Sequence, residues 1–211
     1  MRRITVFGGG TAHGLWDSQG GWSHRLKNFL YKRTIDSVGD QHYELYNLAI
    51  RGDSSTDILE RFERDLKETM KHDEDAHQLT ILHVGGNDAQ FIYEEDDVRT
   101  SPEKFRENLG TIVKESEKLS DATVLMGMIP AEEDMSPIPD SGGRSFTSKR
   151  MKAYHEIVKE VAEKHDVLFL DHFNDFKGNE ELYQDGLHPN NEGHKMIFDD
   201  LKEMLQKEDL I

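Results

Sequence analysis

The stretch VFGGGTAHGLWD, residues 6–17, joins an apolar run directly to a glycine-rich loop. The run RITVF at residues 3–7 predicts a buried β-strand, and the glycines that follow it expose the backbone at the end of that strand. Four further apolar runs that predict strands lie at residues 43–50, 78–86, 122–130 and 167–173. Between them, apolar residues recur at helical spacing at residues 22–33, 55–72, 102–119, 147–165 and 191–206.

This alternation of strands and helices predicts βαβ units, and therefore a parallel sheet covered by helices on both faces. The chain has 211 residues and no internal repeat or low-complexity linker, so we expect a single domain over residues 1–211. Ser55 is the expected N-cap of the second helix. In sheets of this kind the site lies at the carboxyl ends of the strands, so we expect the chemistry in the loops that follow them.

The composition argues against several classes of function. The formal net charge is −16, which disfavours binding to nucleic acid or to anionic membranes. The chain has no cysteine, so disulfides, thiolate metal sites and a cysteine nucleophile are excluded. The apolar run near the N-terminus is too short for a signal peptide, and no run reaches transmembrane length. We therefore expect a cytoplasmic protein that does not insert into membranes.

Cofactor and metal motifs fit the sequence poorly. The first glycine loop matches neither G-x-G-x-x-G nor a Walker loop, because Thr11, His13 and Leu15 stand where those motifs need other residues. The stretch HDEDAH at residues 72–77 is more typical of a solvated turn than of a metal site. We expect no cofactor and no metal.

Four of the loops that follow strands carry glycine together with Asn, Asp or His: GGGTAHG (8–14), RGDSS (51–55), GGND (85–88) and DGLHPNNEG (185–193). In the last of them, Asp185 can accept the Nδ1 proton of His188, which leaves Nε2 free as a general base. Asn87 offers an amide donor to an oxyanion, and Gly52 allows its backbone N–H to approach a ligand. Taken singly, each of these features is also common in ordinary turns.

Taken together and in this order, the loops resemble the motif blocks of the GDSL/SGNH hydrolases. That resemblance implies a flavodoxin-like three-layer α/β/α sandwich with a five-stranded parallel sheet. It also implies hydrolysis of carboxylic esters or thioesters, small-molecule substrates, through an acyl-serine. By position, His188 resembles the general base and Asp185 the acid that orients it. The N–H groups of Gly10 and Gly52 and the amide of Asn87 resemble the oxyanion hole.

The first block departs from the family pattern, which reads Gly-Asp-Ser. Here Gly9 stands at the Asp position and Gly10 at the position of the nucleophilic serine. No acyl-enzyme can form on glycine, and loss of the nucleophile typically costs about six orders of magnitude in turnover. Rescue by Thr11 or Ser18 is disfavoured because a hydroxyl one or more residues away is misplaced for transfer chemistry. Ser54, although part of a GDS triplet, belongs to the second block.

The sequence therefore predicts an ester hydrolase of the Ser-His-Asp type that is impaired at position 10. The alternative is a catalytically silent protein that uses the same pocket to bind an acyl or acetylated-sugar ligand. The two glycines are compatible with a deliberately inactivated hydrolase and with a natural change.

Three further expectations concern the surroundings of the site. The connection at residues 131–146 is expected either to border the pocket or to be a plain surface excursion. His83, inside the third strand, is expected to be a core histidine with satisfied nitrogens. Trp16 and Trp22 are expected to pack beneath the first glycine loop rather than to contact a ligand.

Overall fold

A computed structural model describes residues 1–72, 75–132, 140 and 142–211. The strands are β1 (Arg2–Gly8), β2 (Tyr43–Asn47), β3 (His77–His83), β4 (Phe91–Ile92), β5 (Asp97–Val98), β6 (Ala122–Met126), β7 (Arg144–Ser145) and β8 (Leu168–Leu170). The α-helices are α1 (Gly10–His13), α2 (Gly21–Asp36), α3 (Ser55–Met70), α4 (Pro102–Leu119), α5 (Ser148–His165), α6 (Phe173–Phe176) and α7 (Asn191–Lys207), and a 3-10 helix covers Glu180–Leu182.

Five strands form a parallel sheet in the order β2-β1-β3-β6-β8. Counted along the chain, this is the order 2-1-3-4-5 of flavodoxin-like sheets, so the predicted fold class is confirmed. Four of the five strands end before their apolar runs do; β2, for example, ends at Asn47 and β8 spans only Leu168–Leu170, whereas β1 is longer than its run. The last residues of those four runs belong to the loops that follow the strands.

Two separate apolar cores cover the two faces of this sheet, because successive strand residues point in opposite directions. Ile4 and Val6 of β1 face the first core, which α2 and α7 close, whereas Phe7 faces the second core, which α3, α4 and α5 close. Helices therefore lie on both sides of the sheet, in three layers. Among the described residues, no helix combines the length and the apolar character that crossing a lipid bilayer requires.

The start of α3 differs from the expectation, because the N-cap is Ser54 and not Ser55. The backbone N–H of Ser54 donates to Asp57 at 2.8 Å, as in a capping box. Ser55 has a different hydrogen-bond partner, because its N–H and its hydroxyl both donate to the carboxylate of Asp88, at 3.0 and 2.6 Å. A partner from another loop thus decides which serine caps the helix.

A small antiparallel sheet was not predicted. Its three strands, β5, β4 and β7, have two residues each and are ordered β5-β4-β7. Strands this short are below the length at which alternation is visible in a sequence. The sheet joins the segment that follows β3 to the segment that follows β6.

Candidate active site

The carboxyl ends of the parallel strands surround a pocket of about 220 Å³. All four glycine-bearing loops singled out in the sequence contribute to its lining, through Gly10, Gly52, Asn87 and His188 among others. The convergence follows from the sheet, because parallel strands present their carboxyl ends at one edge. The predicted site residues that line this pocket are thus brought together from four distant parts of the chain.

His188 and Asp185 form a hydrogen-bonded pair at one side of the pocket. Nδ1 of His188 lies 2.9 Å from Oδ2 of Asp185 and 3.2 Å from Oδ1. The same carboxylate accepts the N–H groups of Leu187 at 3.1 Å and of His188 at 2.8 Å. With Nδ1 occupied by a carboxylate, Nε2 is the nitrogen left for a proton transfer.

The environment of Asp185 keeps its carboxylate ionised. Burial by itself raises the pKa of a carboxyl group, but the hydrogen bonds from the ring and backbone of His188 and from Leu187 outweigh it. The net effect lowers the pKa of Asp185 to about 2. The acid is therefore charged throughout the neutral pH range, as an orienting partner of an imidazole must be.

Gly10 lies directly in front of the free nitrogen of His188. A Cβ atom placed on Gly10 with ideal geometry would lie 3.3 Å from Nε2 of His188 and 3.8 Å from the side chain of Leu15. The first atom of any side chain at position 10 would therefore meet the imidazole. The sequence places glycine at this point, so the imidazole faces a position with no side chain.

Asn87 reaches the first loop from the neighbouring strand end. Its Nδ2 donates one hydrogen bond to the carbonyl of Asp53 at 2.9 Å, and a primary amide has a second N–H to offer. A Cβ atom on Gly9 would lie only 2.8 Å from this Nδ2. A residue larger than glycine at position 9 would therefore require Asn87 to move.

Gly52 and Gly10 contribute backbone groups to the pocket wall. Gly52 has a φ of +93°, in the left-handed region that favours glycine, and its carbonyl accepts a hydrogen bond from Arg99 at 2.7 Å. Within the described chain, neither the Gly52 N–H nor the Gly10 N–H donates to a protein acceptor. Both groups are therefore available to an oxygen atom of a ligand.

Asp88 fastens two of the pocket loops together, and sequence reasoning gave it no role. It is fully buried and holds Ser55 at the start of α3, while Asn108 of α4 also donates to the Ser55 hydroxyl at 3.1 Å. Burial raises the pKa of Asp88. Its place directly after Asn87 in the GGND motif was the available signal. The tether fixes the loop of Asn87 relative to the loop of Gly52.

The family model described as "GDSL-like Lipase/Acylhydrolase family" matches residues 6–196. The chain belongs to the GDSL-like lipase/acylhydrolase family. The match begins within β1, just before the first glycine loop, and extends into α7, beyond the turn of Asp185 and His188. All four glycine-bearing loops of the pocket lie inside the match.

The individual proteins that are similar to this chain have low sequence identity to it. YqeF of Bacillus subtilis, named an uncharacterized lipoprotein, is 27% identical over 187 residues, which is 76% of this chain and 72% of YqeF. A lipase/acylhydrolase from Enterococcus faecalis is 23% identical with a TM-score of 0.74, covering 99% of this chain and 97% of that one. Axe2, an acetylxylan esterase from Geobacillus stearothermophilus, is 17% identical with a TM-score of 0.72, covering 96% and 93%. The two solved structures show the shared fold.

Hydroxyl groups near the first loop of this GDSL-like chain differ in their access to the pocket. Thr11 lines it, whereas the backbone N–H of Ser18 is bound to Asn191 at 2.9 Å in an exposed position outside its lining. Ser54 is buried, and its hydroxyl donates to Asp57 at 2.6 Å. Ser54 is thus occupied in capping α3, as its place in the second block indicated.

The prediction for the two tryptophans is correct for Trp22 and wrong for Trp16. Trp22 is fully buried in the first core, as expected, but Trp16 is 53% exposed. Trp16 has a φ of +68° and stands between two anchored residues. The carbonyl of Leu15 lies 3.0 Å from Nε2 of His194, and Asp17 is paired with Arg25 at 2.8 Å. These two anchors direct the backbone so that Trp16 faces solvent.

The remaining expectations have mixed outcomes. His83 is buried and its pKa is lowered to about 3, chiefly by burial, but its Nδ1 has no hydrogen-bond partner, so the expectation of a satisfied histidine was wrong in that respect. In the connection at 131–146, Asp140, Arg144 and Phe146 line the pocket, whereas residues 133–139 and 141 lie outside the described residues. Residues 73 and 74 of the HDEDAH stretch also lie outside them.

Proposed function

We propose that this chain is a hydrolase of carboxylic esters or thioesters built for a Ser-His-Asp mechanism, and that glycine at position 10 impairs it. One observation carries the proposal: the ideal Cβ position of Gly10 lies 3.3 Å from Nε2 of His188. A serine hydroxyl on that atom would be within hydrogen-bonding reach of the imidazole, which is the arrangement that activates a nucleophilic serine. Membership of a lipase and acylhydrolase family supports the same reaction class.

The mechanism assigns a role to each residue once serine occupies position 10. Nε2 of His188 takes the hydroxyl proton while the serine oxygen attacks the ester carbonyl carbon. Asp185 keeps the ring in the required tautomer and stabilises the imidazolium. The oxyanion accepts hydrogen bonds from the N–H groups of Gly10 and Gly52 and from the Asn87 amide. His188 then protonates the leaving alcohol or thiol, and water releases the acyl group by the same steps in reverse.

The chain with Gly10 has the base and the oxyanion donors without a nucleophile. Water can be activated by His188 in its place, but removal of a serine nucleophile typically costs about six orders of magnitude in turnover. We therefore assign the chain with Gly10 at most a slow hydrolysis.

The cytoplasmic location and the single domain over residues 1–211 stay predictions, and the relative YqeF is named a lipoprotein.

The decisive experiment is the substitution Gly10→Ser, with Gly10→Ala as its matched control. Serine and alanine add the same Cβ atom, and only serine adds a nucleophile. We expect Gly10→Ser to raise kcat/KM for p-nitrophenyl acetate by at least about a thousand-fold over Gly10→Ala, as expected from the size of nucleophile effects. A fluorophosphonate should then label Ser at position 10, as measured by intact-protein mass spectrometry. Gly9 is left unchanged, because a Cβ atom there would lie 2.8 Å from Asn87.

The second candidate function is a silent binding protein for an acyl or acetylated-sugar ligand. The observation in its favour is that the pocket of about 220 Å³ remains open at a position that has no nucleophile. A folded Gly10→Ser variant that stays as inactive as Gly10→Ala would overturn the hydrolase proposal. Retention of an acetylated xylo-oligosaccharide by the parent chain in equilibrium dialysis would then favour the binding protein.

A further inference from the structure

The pocket wall carries two arginines and two aspartates, and among the residues that the structure describes only the aspartate side chains have a partner. Asp53 accepts two hydrogen bonds from Arg61, from Nε at 3.0 Å and from Nη2 at 2.7 Å. Asp140 accepts the N–H groups of Gly142 and Arg144, both at 2.9 Å, and so closes its own turn. Neither carboxylate binds an arginine side chain of the pocket wall.

The two pocket arginines, Arg51 and Arg144, differ from the other arginines of this chain in their side-chain contacts. Within the part of the protein that the structure describes, neither side chain has a hydrogen bond or an ion pair, whereas every other arginine has at least one. Both side chains are exposed to solvent. In a chain with a net charge of −16, carboxylates are plentiful, and the two arginines that have no side-chain partner in the described ranges both lie on the pocket wall.

Both arginines belong to the lining of the pocket that contains Gly10 and His188. Arg51 directly precedes Gly52, whose N–H is one of the proposed oxyanion donors. Arg144 begins β7, which pairs with β4 through Ile92. Its guanidinium lies over Gly142, where a Cβ atom would be 2.8 Å from both Nε and Nη2. Glycine at 142 thus leaves room for the guanidinium beside the pocket.

We propose that the pocket takes an ester or thioester that carries an anionic oxygen group, a carboxylate or a phosphate, and that Arg51 and Arg144 bind this group. The guanidinium fork matches both anions and binds them through paired N–H donors. The overall charge of the chain repels anions, so two cations at the pocket that pair with no carboxylate of the described residues provide local selection for them. This inference rests on the proposed function, because it names the substrate class of the same site.

The test uses Gly10→Ser and two matched substrate pairs. The carboxylate arm compares mono-p-nitrophenyl succinate with p-nitrophenyl acetate, and the phosphate arm compares acetyl-coenzyme A with neutral S-acetyl-N-acetylcysteamine. We expect Arg51→Gln combined with Arg144→Gln to lower kcat/KM about ten-fold or more for the anionic substrate of at least one arm, mainly through KM. The neutral substrates should change less than about two-fold. Added salt should weaken the anionic preference before the substitutions and not after them.

Arg106→Gln is the control variant. Arg106 is an exposed arginine of α4 that pairs with Glu160 at 2.9 Å, outside the pocket lining, and its loss should leave both ratios unchanged. The inference is overturned if the double variant changes the anionic and neutral substrates equally in both arms.

Failure of the proposed function gives a different result, namely no hydrolysis of any substrate by Gly10→Ser. In that case, calorimetric titration of the parent chain with succinate monoester and with acetyl-coenzyme A still decides the inference. Binding of at least one of them that the double arginine variant abolishes supports it, and binding of neither overturns it.

Discussion

The loop at residues 9–14 and the turn at residues 185–190 line the same pocket but are stabilised in different ways. The loop is closed by backbone hydrogen bonds, such as His13 N–H to the Gly9 carbonyl at 2.9 Å and Gly14 N–H to the Gly10 carbonyl at 3.1 Å. The turn depends on a side chain, because the carboxylate of Asp185 binds two of its backbone N–H groups as well as a ring nitrogen.

This difference explains how the two sides of the site respond to sequence change. A side chain at position 10 is not needed to hold the loop, so glycine there leaves the backbone hydrogen bonds in place. At position 185 the same atoms shape the turn and orient His188. We therefore expect substitutions to remove chemistry without removing structure more readily in the loop than in the turn.

The largest expected effect tests the turn. In the Gly10→Ser background, Asp185→Asn should lower kcat about ten-thousand-fold, because asparagine does not hold His188 in the tautomer that accepts the serine proton. It should also lower the free energy of unfolding by about 1 kcal/mol, because asparagine keeps one acceptor oxygen but loses the charge and the second oxygen of this partly exposed carboxylate.

Urea unfolding and single-turnover kinetics measure the two effects. Asp36→Asn, which removes an exposed carboxylate on α2, serves as the control and should change neither. The contrast between the loop and the turn is contradicted if Gly10→Ser lowers the free energy of unfolding more than Asp185→Asn does.

The next effect tests the oxyanion donors. In the same background, Asn87→Ala should lower kcat about 100- to 1,000-fold with little change in KM, because the amide acts on charge that develops in the transition state. Initial-rate kinetics with p-nitrophenyl acetate separate the two constants. Asn28→Ala, at an exposed site of α2, is the control. A loss confined to KM would assign Asn87 to ground-state binding instead.

The last prediction concerns pH and separates the site from the cores. Burial lowers the pKa of four histidines, His83, His155, His172 and His194. The unfolded chain therefore binds protons more readily than the native chain. The contribution of these histidines to the free energy of unfolding is fully present above about pH 6.5 and decreases as the pH falls below that value. The loss is up to about 1.4 kcal/mol per pH unit for each such histidine. Asp185, with its pKa of about 2, adds a loss only below about pH 4.

Thermal unfolding between pH 8 and pH 5 measures this slope. His172→Phe should flatten it, since both ring nitrogens of His172 lack a hydrogen-bond partner in the buried site, and exposed His24→Gln should not. An unchanged slope in His172→Phe would contradict a core origin of the acid sensitivity.

Much of the fold and of the candidate site was predictable from local patterns. The five parallel strands follow from apolar runs, and the meeting of Asn87 with His188 in one pocket follows from their places after strands. Features that depend on distant partners were not predictable. Asp88 decides that Ser54 and not Ser55 caps α3, and the anchors beside Trp16 turn it to solvent. Arg144 reaches the pocket through strands of two residues, which leave no periodic signal.

The position of β1 between β2 and β3 has a consequence for the origin of the pocket. From β1 the chain winds first towards one edge of the sheet, and the later crossovers wind towards the other, so the connections diverge above β1 and β3 and leave a crevice. That crevice is a product of winding direction and needs no particular side chain. Because the cleft follows from the winding of the chain, the proposed function requires a change at position 10 alone, without rebuilding of the pocket, to supply the reactive atom.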